Sequence, residues 1–254
     1  MTKRTISALA PLLCVGALIL APACKKTETQ NPDQANTDGT GGGDTSDEPD
    51  EPDLPAVPPQ DPDPAELADL YNRFLIGDYE AVANDAAELR ATLSADTQIR
   101  ANALAASIQA LAASKIIPEN AKDPSEEAIA AGDRLGDAEV LQLAHTAHAA
   151  YLIGVLEAEA AQTELEAVVG SQGAYGMLAR LYLARAHYNQ AFGTGEDDTR
   201  VVNPGKLDEA AAQFQAVIDN GSDPLKAHAH VGLAATADYK NDKAAACAAA
   251  EQAT

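Results

Sequence analysis

The chain has 254 residues, 39 acidic and 17 basic, with a net charge of -22, 56 alanines and no tryptophan. So large an excess of acid excludes a nucleic-acid-binding protein, because affinity for a phosphate backbone comes from its neutralisation by Lys and Arg. The composition changes twice along the chain, so charge and hydrophobicity have to be taken segment by segment.

Met1 to Thr5 carries Lys3 and Arg4, and Ile6 to Leu20 follows without a charge. A basic start before an apolar run of this length predicts an export signal, since a spanning helix needs about 20 apolar residues. The run ends in Leu20-Ala21-Pro22-Ala23-Cys24, followed by Lys25 and Lys26. This stretch resembles the lipobox of bacterial lipoproteins, although the family usually places Leu three residues before the Cys, where this chain has Ala21. The resemblance implies a signal peptide over residues 1–23, an acylated Cys24 as the mature N-terminus, and a lipid anchor in the bacterial cell envelope. Lys25, where an Asp would retain a lipoprotein, implies the outer membrane, on its periplasmic face or at the surface. Ala21-Pro22-Ala23 also satisfies the small-x-small rule of an ordinary signal peptidase, so a freely secreted protein is the second reading. Cys24 and Cys247 stand too far apart to suggest a disulfide framework. Cys247, inside the Ala-rich run Ala244 to Ala250, reads as a buried small apolar residue.

Residues 27–64 hold 11 acids, eight Pro and four Gly, with no Lys or Arg. Such a segment has too little apolar surface to offset its ordering entropy, which predicts disorder. Its like charges and prolines extend and stiffen it. Residues 24–64 therefore read as the lipidated Cys and a disordered acidic linker, a spacer between membrane and domain.

Residues 65–254 contain 49 alanines, and Ala is the strongest helix former. β-branched residues cluster only at Thr199-Arg200-Val201-Val202. Asp63-Pro64, Asp123-Pro124, Asn203-Pro204 and Asp223-Pro224 each pair a capping side chain with a Pro suited to a helix start. An all-α domain is predicted over residues 65–254. Leu67, Leu70, Tyr71 and Phe74 lie at i, i+3, i+4 and i+7, one helix face. The spacing returns at Ala101, Leu104, Ala105, Ile108, at Ala144, Ala147, His148, Tyr151, at Tyr175, Leu178, Ala179, Tyr182, and more weakly at His230, Leu233, Ala234, Ala237. Phe74-Leu75-Ile76-Gly77 matches Tyr151-Leu152-Ile153-Gly154, each predicting a helix, a Gly turn and a second helix. The second helices carry Tyr79, Val82, Ala86, Leu89 in the first unit and Leu207, Ala210, Phe214, Val217 in the fourth.

These faces resemble the tetratricopeptide repeat, whose unit is a helix–turn–helix of about 34 residues. The resemblance implies a right-handed α–α superhelix of about five hairpins. The first and second faces are 34 residues apart, but the later intervals are longer, with insertions near Ile117-Pro118-Glu119-Asn120 and Gly193-Thr194-Gly195-Glu196-Asp197-Asp198. In this family the first helices line a concave groove that takes a peptide or an extended segment. Carried onto the matched faces, that places Asn72, Asn102, Gln109, Gln142, His145, Arg180, His228 and Tyr239 on the groove side. The acidity of the domain favours a basic patch on a protein partner.

Chemistry-bearing motifs do not emerge. His145 and His148 stand at i, i+3, but no His has the Glu three residues before it that a helical carboxylate-bridged metal site uses. Gly170-Ser171-Gln172-Gly173 lacks the Gly-x-Ser-x-Gly pattern of a nucleophile elbow. The acids after Gly193 and Gly195 would repel a phosphate rather than cradle it. The sequence therefore calls for no enzyme activity, no cofactor and no metal. The expectation is a membrane-anchored protein–protein interaction scaffold. The alternative is a periplasmic protein binding a small ligand or a cation, in a helical pocket or in the acidic insertion.

Overall fold

Alanine-rich stretches with an apolar residue every three or four positions become, in the computed structural model, ten α-helices among the described residues. The structure describes residues 58–170, 174–194 and 200–253. Residues 1–23, Cys24, most of the acidic linker, Ser171 to Gly173 and Gly195 to Thr199 lie outside the described residues.

The helices pair in chain order. Hairpins are formed by α1 (Ala65–Leu75) with α2 (Tyr79–Thr92), α3 (Ile99–Ala113) with α4 (Lys122–Leu135), and α5 (Ala138–Gly154) with α6 (Ala158–Val168). A fourth joins α7 (Gly176–Gln190) to α8 (Pro204–Asn220), and a fifth joins α9 (Asp223–Tyr239) to α10 (Lys243–Ala250). Each first helix packs on the next first helix, α1 on α3, α3 on α5, α5 on α7 and α7 on α9. Each second helix fills the seam between its own partner and the first helix of the next hairpin. The all-α expectation holds, and so does the order of five hairpins.

The first helices of the middle hairpins are enclosed. No residue is exposed from Ile99 to Ala113, from Glu139 to Ile153 or from Gly176 to Gln190. Their apolar and small residues are spread round the helix, with a few polar side chains among them, which is the pattern of a helix surrounded by others. Ala105, Ala112, Ala147, Ala149, Ala179 and Ala184 are fully buried, and such small side chains let helix axes approach closely. The ends of the stack also meet. The Tyr71 ring of α1 lies edge-on to Tyr175, just before α7, with centroids 5.2 Å apart. His228 of α9 reaches the carbonyl of Leu75 at the end of α1, with Nε2 at 2.8 Å.

Several local expectations are corrected. Of the four X-Pro pairs, only Asn203 caps its helix, accepting from the backbone N–H of Gly205 and Lys206. Asp63 is drawn instead into an ion pair with Arg100, Asp123 lies inside α4, and Asp223 is the first residue of α9, after Ser222. The caps that form at α5 and α10 are Asp137 and Asp242. The end of the linker is held against the domain: Asp61 donates its backbone N–H to Thr97 O at 2.7 Å and accepts from the Thr97 hydroxyl at 2.8 Å. Gln60 accepts from the Arg100 backbone N–H. Order thus begins before Pro64, because polar side chains can dock a segment that has no apolar surface of its own. Cys247 is exposed, not buried. α10 packs only through Ala245, Ala246 and Ala249, and Cys247 faces away from that side.

The Gly turn of the third hairpin is displaced. Gly77 closes α1 at φ +98°, with Asp78 N–H bonding back to Arg73 O. The same reverse bond after α5 runs from Glu157 to Leu152 O, so the left-handed position is Leu156, at φ +70°. Gly154 is the last residue of α5, and a Cβ there would stand 2.6 Å from Pro118. It is a packing glycine against the insertion of the second hairpin, not a turn glycine. In the fourth hairpin the β-branched cluster pairs as β2 (Arg200–Val202) with β1 (Phe192–Thr194), antiparallel, Phe192 opposite Val202.

Candidate functional site

The eight expected groove residues do not line one surface. Asn102 and Gln109 of α3 turn toward α2, where Arg90 donates to their side-chain oxygens at 3.1 and 2.7 Å and also pairs with Glu127 of α4. His145 of α5 meets Glu164 of α6 at 3.5 Å. Arg180 of α7 donates to Gln213 of α8 at 2.7 Å. Gln142 is fully buried, donating to Val168 O at 3.1 Å and accepting from the Tyr175 backbone N–H at 3.2 Å. His228 is held by α1, and Tyr239 packs on Phe192 with ring centroids 4.6 Å apart. Asn72 stands exposed on α1.

The physical reason is the enclosure of α3, α5 and α7. A helix with apolar residues on every side has no polar face to spend on a groove, so its few polar side chains fall at seams with second helices. Buried polar groups are then satisfied there. The matched faces fall on the first helices of the hairpins, and the polar side chains they carry are turned to the seams with second helices.

Three seams concentrate charge. Arg100 of α3 ties Asp63 of the linker end to Asp137 at 2.9 Å and Glu139 at 2.5 Å. Burial works to raise the Asp137 carboxyl, but the Val140 N–H, Arg100 and the Glu139 N–H bring it below the usual carboxylate range. Glu164 receives both His145 and His148, the latter at 2.7 Å. Burial opposes its ionisation, yet the two imidazoles outweigh that and bring it down to about 2. His148 also stacks on Tyr151, with centroids 5.6 Å apart. Among the described residues no group of three His, Cys, Asp or Glu is placed to hold a metal ion. The acidic insertion, as the other cation candidate, lies outside the described residues.

The third seam carries positive charge. Where α1 and α9 close over α7, Lys115 at the end of α3 and Arg185 of α7 gather on Tyr182. The Lys115 Nζ is 4.6 Å and the Arg185 Cζ 5.0 Å from the ring centroid. His228, Leu75, Tyr79 and Phe74 complete the lining of a cavity of about 10 Å³. Tyr182 is 1% exposed, and its hydroxyl makes no hydrogen bond of good geometry among the described residues. Burial pushes that phenol up to about 12. Burial, then the Arg185 charge, pulls the Lys115 ammonium well below its ordinary value. Burial also lowers His228, against the bond to Leu75 O and with help from Arg185 and Lys115. Of these residues only His228 was expected from the sequence to bind a partner; Phe74, Leu75, Tyr79 and Tyr182 were expected as packing or turn residues. The signal that could have found the rest is a lone charge on an apolar face, Lys115 before Ile116-Ile117 and Arg185 one turn after Tyr182.

No transmembrane-capable helix occurs among the described residues. Compared with protein-family models, curated proteins and solved structures, the chain matches none.

Proposed function

We propose that the chain is a lipid-anchored helical-repeat scaffold of the bacterial cell envelope, wound as a right-handed α–α superhelix of the tetratricopeptide type, that binds a protein partner. The observation that carries this reading is the stacking order, in which each first helix lies on the next and each second helix seals the seam. Such a stack repeats a binding surface along its length. Lipobox-like Ala21-Pro22-Ala23-Cys24 and the acidic linker supply the anchor and the spacer.

With α3, α5 and α7 enclosed, the partner meets the outside of the stack. The turns between paired helices all lie along one edge, where Ile76, Ile117 and Leu156 are 74%, 50% and 87% exposed. Acidic second helices border this edge and favour a partner with a basic patch, through attraction that salt weakens. Cross-linking in native membranes tests the reading. The wild-type chain should capture one protein, and the Ile76→Asp, Leu156→Asp double variant should lose it. The intact mass of the membrane-extracted protein should include acyl chains on Cys24. An unmodified Cys24 would remove the anchor, and unchanged capture by the double variant would remove this edge as the contact.

A further inference from the structure

The cluster on Tyr182 is out of balance in a way the seams around Arg100 and Glu164 are not. The protein has 39 acids, and several other half-buried cations are met by them: Arg100 by three, Arg90 by Glu127, Lys206 by Glu209, while Arg180 is met by the Gln213 amide oxygen. Lys115 and Arg185 make no ion pair with any described residue. The charge acting on Lys115 is Arg185, and those acting on His228 are Arg185 and Lys115, all of like sign. Arg stays ionised in any protein environment, and a desolvated cation without a counter-charge is costly. The Tyr182 hydroxyl is buried beside them, next to Ser114 and Arg185, without a hydrogen bond of good geometry. An ammonium and a guanidinium gathered on one buried phenol without a carboxylate are the complement of an oxyanion.

We infer that Lys115, Arg185 and Tyr182 form a binding site for a compact oxyanion, a carboxylate or phosphate group received between α1, α7 and α9. His228 sits beside it as a positioning residue, its Nε2 held by Leu75 O at 2.8 Å. The free volume of about 10 Å³ is about one water's worth. The occupant's charged end therefore displaces that volume and the flexible end of Lys115, rather than filling a preformed chamber. The apolar walls from Phe74 and Leu75 exclude larger polar groups and strengthen the charge pairing by keeping water out. The site is independent of the scaffold reading, since neither the anchor nor the turn edge takes part in it.

Calorimetric titration of the full chain at constant ionic strength tests it, with sodium phosphate as one probe. N-acetyl-alanyl-alanine and its C-terminal amide are the others. Saturable binding of phosphate identifies a free oxyanion, and binding of the dipeptide acid but not its amide identifies a chain terminus; either supports the site. Lys115→Met and Arg185→Gln should each weaken that binding about tenfold or more, the loss of one hydrogen bond to a charged group. Arg185→Lys, which keeps the charge, should retain most of it and guards against a folding defect. Lys122→Met, which alters an exposed pair with Glu126, should leave it unchanged. No saturable binding by the wild type, or equal binding by Lys115→Met and Arg185→Gln, overturns the inference. The carbonyl ends of α1 and α3 and the Tyr182 ring would then be the whole of the counter-charge.

Discussion

Two kinds of charged seam lie within the same stack, and they are built in opposite ways. Around Arg100 and around Glu164, each central ion is surrounded by partners of opposite character. Around Tyr182, Lys115 and Arg185 share one ring beside His228 and have no acidic partner among the described residues. Composition cannot account for the contrast, because acids outnumber bases by more than two to one over the whole chain. Pairing inside a repeat stack is decided by which side chains the hairpins bring face to face. Balanced seams hold hairpins together; an unbalanced one stores a need for charge from outside.

Removing a centre from the balanced seams should produce the largest losses. Arg100→Met strands Asp63, Asp137 and Glu139, and is expected to lower unfolding stability by about 3 kcal/mol. In denaturant the midpoint should fall without a change of slope, and amide protection near Asp61 should vanish as the linker end is released. Glu164→Gln comes next, at roughly 2 kcal/mol near neutral pH. Its folded value of about 2 lies below the ordinary 4.5. The wild-type contribution is therefore complete above about 4.5 and lost as pH falls through about 2. The variant's stability should be flatter across that window.

The unbalanced seam should respond with the opposite sign. In buffer without oxyanions, Lys115→Met is expected to raise stability by about 1 kcal/mol at neutral pH, because it removes a buried cation that lacks a partner. Its folded value is lowered from 10.5, so the penalty is present below that value and disappears as pH rises past 10.5. The gain should shrink over the same rise. A loss of stability at neutral pH would erase the distinction between the two kinds of seam. Leu156→Gly sharpens the comparison with the smallest effect, since it relieves backbone rather than charge. Leu156 is 87% exposed at φ +70°, and a left-handed non-Gly residue costs about 1–2 kcal/mol, partly returned by the entropy of Gly. A rise of about 0.5 kcal/mol in thermal or denaturant unfolding is expected.

Much of the architecture was legible because helices report themselves locally. The faces at Leu67 to Phe74, Ala101 to Ile108, Ala144 to Tyr151 and Tyr175 to Tyr182 fall in α1, α3, α5 and α7, and their order predicted five hairpins. The Gly154 turn failed because Gly serves two ends: a left-handed φ, as at Gly77, and close approach, as against Pro118. The sequence motif is the same for both. The surroundings of the expected groove residues were illegible for a different reason. A periodic face tells which side of a helix is apolar, and α3, α5 and α7 are apolar on all sides, so no groove-facing direction could be read from them.

The sequence by itself determined the helices and the pairing of neighbours, because helix propensity, apolar spacing and short connections act within a few turns of chain. Only the tertiary structure decided what Asn102, His145 and Arg180 touch, and that His228 reaches a carbonyl 153 positions away. It also decided that Lys115 and Arg185 share one aromatic ring. Those outcomes depend on how far successive hairpins rotate before the ends of the stack meet. That angle is summed over every seam, so no local pattern contains it.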